Sequence, residues 1–282
     1  MVTKFTKTQI KPLLIAILIL IAARSRSYAD GFPLRPHSLL LSPSVSYFYA
    51  NKGWDSVRHL TPFPNNGHFS SLTYQLYAEY GLSRRFTLVA LLPYSMNTYQ
   101  QDGYKSTASG LTDVETGIRY YIANIDYRFY FMVQGTLITP LYNNPNLGYG
   151  ETGAELRFSF AGRGHVFDKN CFFSIENGFR QYFGSTGPFQ DRYNGTFGLT
   201  IDKKFQNQLS ISVGGFYSIS DFKTFSPSPV VGKDFDFNQV SLSYGHSFNR
   251  QFSIFLTGGK FINGRNTGDG TSASISVVLK PF

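Results

Sequence analysis

From residue 39 onward, apolar and polar side chains alternate with period two in one segment after another, and no stretch carries a helical period. Twelve such segments stand at 39–50, 69–80, 85–94, 111–122, 126–138, 150–161, 171–183, 191–204, 208–219, 236–248, 251–261 and 271–281. In the second, Leu72, Tyr74, Leu76, Ala78 and Tyr80 share one face and Ser71, Thr73, Gln75 and Glu79 the other. In the ninth, Leu209, Ile211, Val213, Tyr217 and Ile219 oppose Ser210, Ser212, Gly214 and Ser218. In the twelfth, Ala273, Ile275, Val277 and Leu279 oppose Ser272, Ser274 and Ser276. A tilted strand needs roughly 9–11 residues to cross a bilayer, and every segment reaches that length.

The connections alternate as well. Linkers 51–68, 95–110, 139–149, 184–190, 220–235 and 262–270 are long and polar, whereas the intervening ones are short, with 162–170 the single longer exception. An even number of strands, long loops on one side and both termini on the short-turn side predict an all-β fold. It is a closed antiparallel transmembrane β-barrel of about 12 strands, with short periplasmic turns and longer extracellular loops. Closure removes the strand edges whose backbone groups lipid could not satisfy. A soluble lipocalin-like barrel or β-sandwich shares the period, but it would bury its apolar face in a core.

Composition points the same way. Phe and Tyr are abundant (28 and 19 residues) beside 27 Gly, while the mean hydropathy is slightly negative. A helical membrane protein would be far more apolar; a sheet with one face in lipid and one in water needs this mixture. The N-terminus reads as a signal peptide: Lys4, Lys7 and Lys11 precede the apolar run Leu13 to Ala23, and Ser27-Tyr28-Ala29 offers a cleavage site. The expected organisation is therefore a removed leader (1–29), a periplasmic segment (30–38) and a barrel (39–282), exported to the cell outer membrane. The leader holds five basic residues and no acid, so its removal lowers the formal charge from +9 to +4. A nucleic-acid partner is not indicated. The expected partners are outer-membrane lipid, the phosphates of lipopolysaccharide, and a small-molecule solute. Cys171 is the single cysteine, which rules out an internal disulfide.

Three short turns share a pattern. Tyr80-Gly81-Leu82-Ser83-Arg84-Arg85-Phe86, Phe205-Gln206-Asn207-Gln208-Leu209 and Phe248-Asn249-Arg250-Gln251-Phe252 each set large apolar residues on both sides of a tight polar turn, as an inner aromatic girdle requires. The run Glu79-Tyr80-Gly81-Leu82-Ser83-Arg84-Arg85-Phe86-Thr87-Leu88, continuing to Leu92-Pro93-Tyr94, resembles the outer-membrane family named for the meta-pathway of phenol degradation. Gly110-Leu111-Thr112-Asp113-Val114-Glu115-Thr116-Gly117-Ile118-Arg119-Tyr120 resembles it too. The resemblance implies a leader, a barrel of about this size, and passage of hydrophobic or aromatic compounds. The C-terminal strand and Phe282 are the expected signal for the barrel-assembly machinery. Phe282 is out of phase with Ile275, Val277 and Leu279, and Pro281 should end the strand before it.

With the apolar sets facing lipid, parity gives the lumen. Glu115, Arg119, Arg128, Gln134, Glu155, Arg157, Glu176 and Arg180 are the candidate constriction residues, joined by Arg192 and Asp202. Strands nine to twelve supply Ser, Thr and Gly. A charged wall thus faces a wall of small residues, and acid and base on neighbouring strands should pair, because unpaired charge in a narrow lumen is costly. Two readings remain open: a polar constriction that selects solutes, or an ion-paired filling that stabilises a closed barrel. Gly214-Gly215 and Gly258-Gly259 are candidate kinks toward a lateral exit, or ordinary curvature.

Three function classes follow: a passive channel or transporter, a structural or adhesive barrel acting through its loops, and a membrane phospholipase. The last rests on His68-Phe69-Ser70, which has the spacing of a twelve-stranded outer-membrane phospholipase. It lacks that family's following Asn-Gly, since Ser71-Leu72 stands there, and no orienting Asn is identifiable. The expectation is a protein that is not an enzyme, with no catalytic residues, no metal and no cofactor. Gly148, Gly150 and Gly153 fit a dinucleotide-binding spacing but lead into a strand rather than a helix. Asp234, Asp236 and Asn238 have calcium-like spacing without the glycine and distal glutamate of an EF-hand loop.

Overall fold

The computed structural model describes residues 34–281, apart from 167, 168, 203, 205, 229 and 230. The leader (1–29) and Phe282 lie outside the described residues.

Twelve strands follow one another around a closed sheet: β1 (Leu39–Ala50), β2 (His68–Gly81), β3 (Phe86–Gln101), β4 (Tyr104–Leu111 and Asp113–Ile125), β5 (Phe129–Pro140), β6 (Gly153–Val166), β7 (Lys169–Tyr182), β8 (Phe189–Thr200), β9 (Asn207–Ile219), β10 (Phe235–Ser247), β11 (Phe252–Arg265) and β12 (Thr271–Leu279). Each is antiparallel to the next, and β1 pairs with β12, from Leu41 opposite Leu279 to Tyr49 opposite Thr271, to close the barrel. Every backbone edge is thereby used inside the sheet. Strand β12 stops at Leu279, ahead of Lys280-Pro281, because proline cannot donate to the ladder.

Alternation decides which side chains line the wall. Leu242 and Ile175 are exposed by 65% and 57%, and Tyr74, Leu88, Ile118, Leu137, Phe158, Ile211 and Ile275 join them on the outer surface. Withdrawing such a side chain from water stabilises by roughly 1.5–3 kcal/mol, so a wall built from them needs an apolar surround. Inward positions carry the polar set. Ser71 bonds Asn97 at 2.7 Å, Thr73 and Ser95 lie 2.9 Å apart, Thr196 and Ser212 2.8 Å, and Thr257 and Ser243 2.9 Å.

Three irregularities re-aim strands, one of them on β4, where the ladder to β5 skips from Tyr121 to Ala123 and leaves Ile122 as a bulge. Thr112 interrupts β4, so that buried Ala108 precedes the break on even parity while Asp113, Glu115, Gly117 and Arg119 follow it inward on odd parity. On β11, the ladder to β10 skips from Phe261 to Asn263, leaving Ile262 as a bulge.

The expected loop 95–110 is a correction. β3 and β4 pair up to Gln101 opposite Tyr104, so the segment is a hairpin extension with a two-residue turn rather than a loop. Its residues are polar on both faces, which removed the alternation signal. The expected longer connection 162–170 also shrinks, since β6 runs to Val166 and β7 resumes at Lys169.

At the long-loop end, Lys52–Trp54, Leu60–Pro62 and Thr267–Gly268 form a small separate sheet. Trp54 packs there with Phe235, Phe237 and Phe261, with Phe48 and Phe216 against them. Phe237 and Phe261 stack at 3.8 Å between centroids. At the opposite end the first described residues lie against the end of β2: His37 N–H donates to Gly81 O at 2.7 Å.

Candidate functional site

Strands β4, β6, β7 and β8 bring six of the charged candidates into one cluster. Glu155 and Arg180 are direct partners across the β6–β7 ladder, and Arg180 Nε donates to Glu155 Oε2 at 2.8 Å. Its Nη2 reaches across the lumen to Glu115 on β4 at 2.5 Å. Arg157 Nη2 meets Glu155 Oε1 at 2.5 Å, and its Nη1 stands 3.8 Å from Glu176. Arg192 on β8 adds a third guanidinium at 3.1 Å from Glu155 and lies 4.0 Å from Glu115. Three carboxylates thus balance three guanidiniums, with the Glu155 side chain fully enclosed. That pairing is what makes buried charge tolerable here.

A second network lies nearer the short turns. Arg119 Nη1 bonds Glu79 Oε1 at 2.8 Å, its Nη2 reaches the Tyr77 hydroxyl at 2.9 Å, and its Nε bonds Gln134 at 3.1 Å. Gln134 in turn donates to Thr136 at 3.0 Å. A third network approaches the long loops. Tyr142 and Tyr182 donate to the two oxygens of Asp113 at 2.8 and 2.9 Å, and Tyr149 donates to Gly232 O at 2.6 Å. Burial pushes the loop hydroxyls of Tyr142 and Tyr149 above the usual tyrosine range, so they act as neutral donors. Loops 141–152 and 220–234 therefore meet over the barrel, and Asn97, an inward residue of β3, bonds Asn146 O at 2.9 Å.

Between the charged cluster and the aromatic cluster lies a cavity of about 170 Å³, lined by Arg157, Glu176, Arg192 and Asn194 on one side and Phe216, Phe237 and Gln239 on the other. The Arg192 guanidinium sits 5.1 Å above the Phe216 ring. Arg192 and Glu176 keep about a third of their side-chain surface accessible, 34% and 35%.

Seven of the eight constriction candidates, Glu115, Arg119, Gln134, Glu155, Arg157, Glu176 and Arg180, point into the lumen. Arg128 does not. It is exposed in the Asp126–Arg128 turn, where Asp126 and Tyr127 take positive φ of 51° and 53° and its N–H closes the turn on Ile125 O at 2.9 Å. Asp202 likewise belongs to a turn, accepting the N–H of Asn207 at 2.7 Å and of Gln206 at 3.0 Å. The glycine pairs carry no register shift. The β8–β9–β10 ladders run unbroken through Gly214 and Gly215, and the β10–β11–β12 ladders through Gly258 and Gly259; the register shift falls at Ile262 instead.

Sequence reading set Glu79 on the polar face of its strand without counting it among the constriction residues, and it missed Asp113, Tyr182 and the inward phenylalanines. Phe235 and Phe237 share parity with Gln239, Ser241 and Ser243, and that phase was the signal that places them inside. His68 and Ser70 lie on the outer face without a hydrogen bond between them, His68 beside the Tyr49 ring at 5.9 Å. Asp234 and Asp236 are held by guanidiniums, Arg265 at 2.5 and 2.9 Å and Arg58 at 2.7 Å, rather than arranged about a cation. Gly148 caps a short 3-10 turn over Pro145–Leu147.

Solved structures share this architecture. An outer membrane channel from Pseudomonas putida F1 superposes with a TM-score of 0.70 at 14% identity, over 91% of this chain and all of that one. The fold is that of the outer-membrane β-barrels. The NanC porin gives a TM-score of 0.52 at 10% identity, over 85% of this chain and 99% of its own. The translocator domain of the autotransporter NalP from Neisseria meningitidis gives 0.50 at 10% identity, over 97% and 95%. No family model matches the sequence, and no curated protein matches it.

Proposed function

We propose that the chain is an outer-membrane channel, without enzymatic activity, that lets small solutes diffuse through its lumen. The observation that carries this reading is the cavity beside the charged cluster: Arg192 and Glu176 remain accessible inside the barrel, where a purely structural filling would enclose them. The names of the matched proteins, a channel and a porin, agree with it. Phe216 and Phe237 on one side of the cavity, with guanidiniums on the other, favour solutes that are small and partly apolar or aromatic. The likeness of residues 79–120 to the family of hydrophobic-compound transporters supports the same solute class.

A second reading has its own observation. The stacked phenylalanines and the loops 141–152 and 220–234 fold over the long-loop end, as a structural or adhesive barrel would have them. Swelling of proteoliposomes separates the two. Under the channel reading, vesicles holding the folded protein swell in small polar solutes and in aromatic acids, and Phe237→Ala speeds the entry of larger ones. Vesicles that swell in no solute would favour the structural barrel.

A further inference from the structure

The charge of this barrel is sorted by end. At the long-loop end cations are matched by acids: Arg58 pairs with Asp236 at 2.7 Å, Arg265 with Asp234 at 2.5 Å, Lys233 with Glu151 at 3.5 Å and Lys260 with Asp269 at 2.6 Å. Exposed Lys52, Lys105 and Lys223, without an ion pair among the described residues, share that end with Asp55, Asp102 and Asp221. The lumenal guanidiniums are paired as well. At the short-turn end, Arg84, Arg85, Arg128, Lys169, Lys204 and Arg250 are all exposed and make no ion pair among the described residues. Near them stand two described carboxylates, Asp126 and Asp202, and the second is taken up by backbone N–H groups of its own turn. The positive excess left after removal of the leader is therefore concentrated on one rim.

The same turns expose apolar side chains. Leu82 (44%) and Phe86 (44%) flank Arg84 and Arg85, Tyr127 (72%) precedes Arg128, and Phe248 (53%) precedes Arg250. Behind them lies an aromatic belt: Phe86 on Tyr120 at 4.9 Å, Phe248 on Phe252 at 5.1 Å, and Phe160 on Phe173 at 5.2 Å. Cations set just outside an aromatic belt, repeated around the whole circumference, match a membrane–water interface rather than one face of a globular partner. Cations serving a solute funnel would stand on the lumenal side without apolar neighbours.

We propose that this rim is a binding surface for anionic phospholipid headgroups of the leaflet that surrounds the short turns. Phosphates would bridge the guanidiniums and ammoniums of adjacent turns, while Leu82, Phe86, Tyr127 and Phe248 anchor in the acyl boundary. The proposal rests on the outer-membrane reading only in requiring that the barrel be embedded with its short turns at the periplasmic surface; it does not require an open pore.

The test is native mass spectrometry of the full chain refolded in phosphatidylcholine vesicles with or without phosphatidylglycerol, counting lipid retained after extraction. Heat-modifiable gel migration, read first, reports whether a barrel has formed; its absence in the wild-type chain would overturn the membrane reading itself. For the folded protein, phosphatidylglycerol should be retained over phosphatidylcholine. Arg84→Gln/Arg85→Gln/Arg128→Gln/Arg250→Gln should weaken that preference by at least about fivefold. The loop-end control Lys52→Gln/Lys105→Gln/Lys223→Gln should leave it unchanged. Should the quadruple variant fail to fold, Arg84→Gln/Arg85→Gln and Arg250→Gln made separately should each weaken the preference. Equal retention of both lipids, or an equal loss in the loop-end control, would overturn the proposal. Abolition of retention by added inorganic phosphate would also overturn it, showing a simple phosphate site instead of a lipid surface.

Discussion

Glu155 and Arg180 face one another across the β6–β7 ladder, and the guanidinium Nε donates to the carboxylate at 2.8 Å. Around this pair Arg157 and Arg192 converge on the same carboxylate, and Glu115 takes the far side of Arg180. A carboxylate shared by three guanidiniums is the keystone of the lumen. Replacing it by Glu155→Gln leaves three cations to two acids in an enclosed space, and removal of one partner of a buried pair costs about 3–5 kcal/mol. Urea unfolding of the vesicle-embedded protein should show the midpoint falling accordingly. A midpoint within error of wild type would mean that the cluster is solvated by lumenal water and contributes little.

Gly81 closes β2 at the short-turn mouth, and a Cβ there would stand 2.2 Å from the Arg35 carbonyl oxygen. Backbone of the preceding segment cannot yield as a flexible side-chain tip would. Gly81→Ala should therefore displace residues 34–38 and break the His37-to-Gly81 hydrogen bond, at a cost of about 1–3 kcal/mol. Faster protease cleavage between residues 34 and 38, with the barrel itself still heat-modifiable, is the expected result. Unchanged cleavage would show that the contact relaxes without consequence.

Asp202 is a turn residue whose carboxylate is held below the usual range, first by the N–H of Asn207 and then by that of Gln206. Because the folded value is lowered, its contribution to stability is present above the unfolded value near about pH 3.9 and is lost as pH falls through the lowered folded value. Asp202→Asn should consequently narrow its stability difference from wild type on acidification, measured by urea unfolding across that range. A difference that stays constant into strong acid would show that the carboxylate charge takes no part in holding the turn.

Period-two alternation made the barrel legible. Each of the twelve segments became a strand, because an outer face in lipid and a polar lumen leave two chemically distinct sets of positions on one strand. Parity alone also placed Glu115, Arg119, Glu155, Arg157, Glu176 and Arg180 inside. It failed where the strand itself ended. Arg128 and Asp202 continue the alternation on paper, but Asp126 and Tyr127 enter the left-handed region and the Asp202 side chain caps its own turn, so both strands stop first. It failed again at Phe235 and Phe237, where aromatic side chains point inward to pack with Trp54 and Phe261, against the expectation that the lumen is polar. And 95–110 was silent because its outward positions, Thr98, Gln100, Lys105 and Thr107, are as polar as its inward Ser95 and Asn97, which erases the pattern without erasing the strand.

The central claim is that the lumen beside Arg192 and Glu176 is an open polar path. Single-channel conductance of the refolded protein in a planar bilayer tests it most directly, with Arg192→Ala and Glu176→Ala alongside. The account predicts a steady conductance whose ion selectivity moves toward cations when Arg192 is removed and toward anions when Glu176 is removed. Silence from the wild-type protein, once heat-modifiable migration has shown it to be folded, or a conductance indifferent to both substitutions, would contradict it.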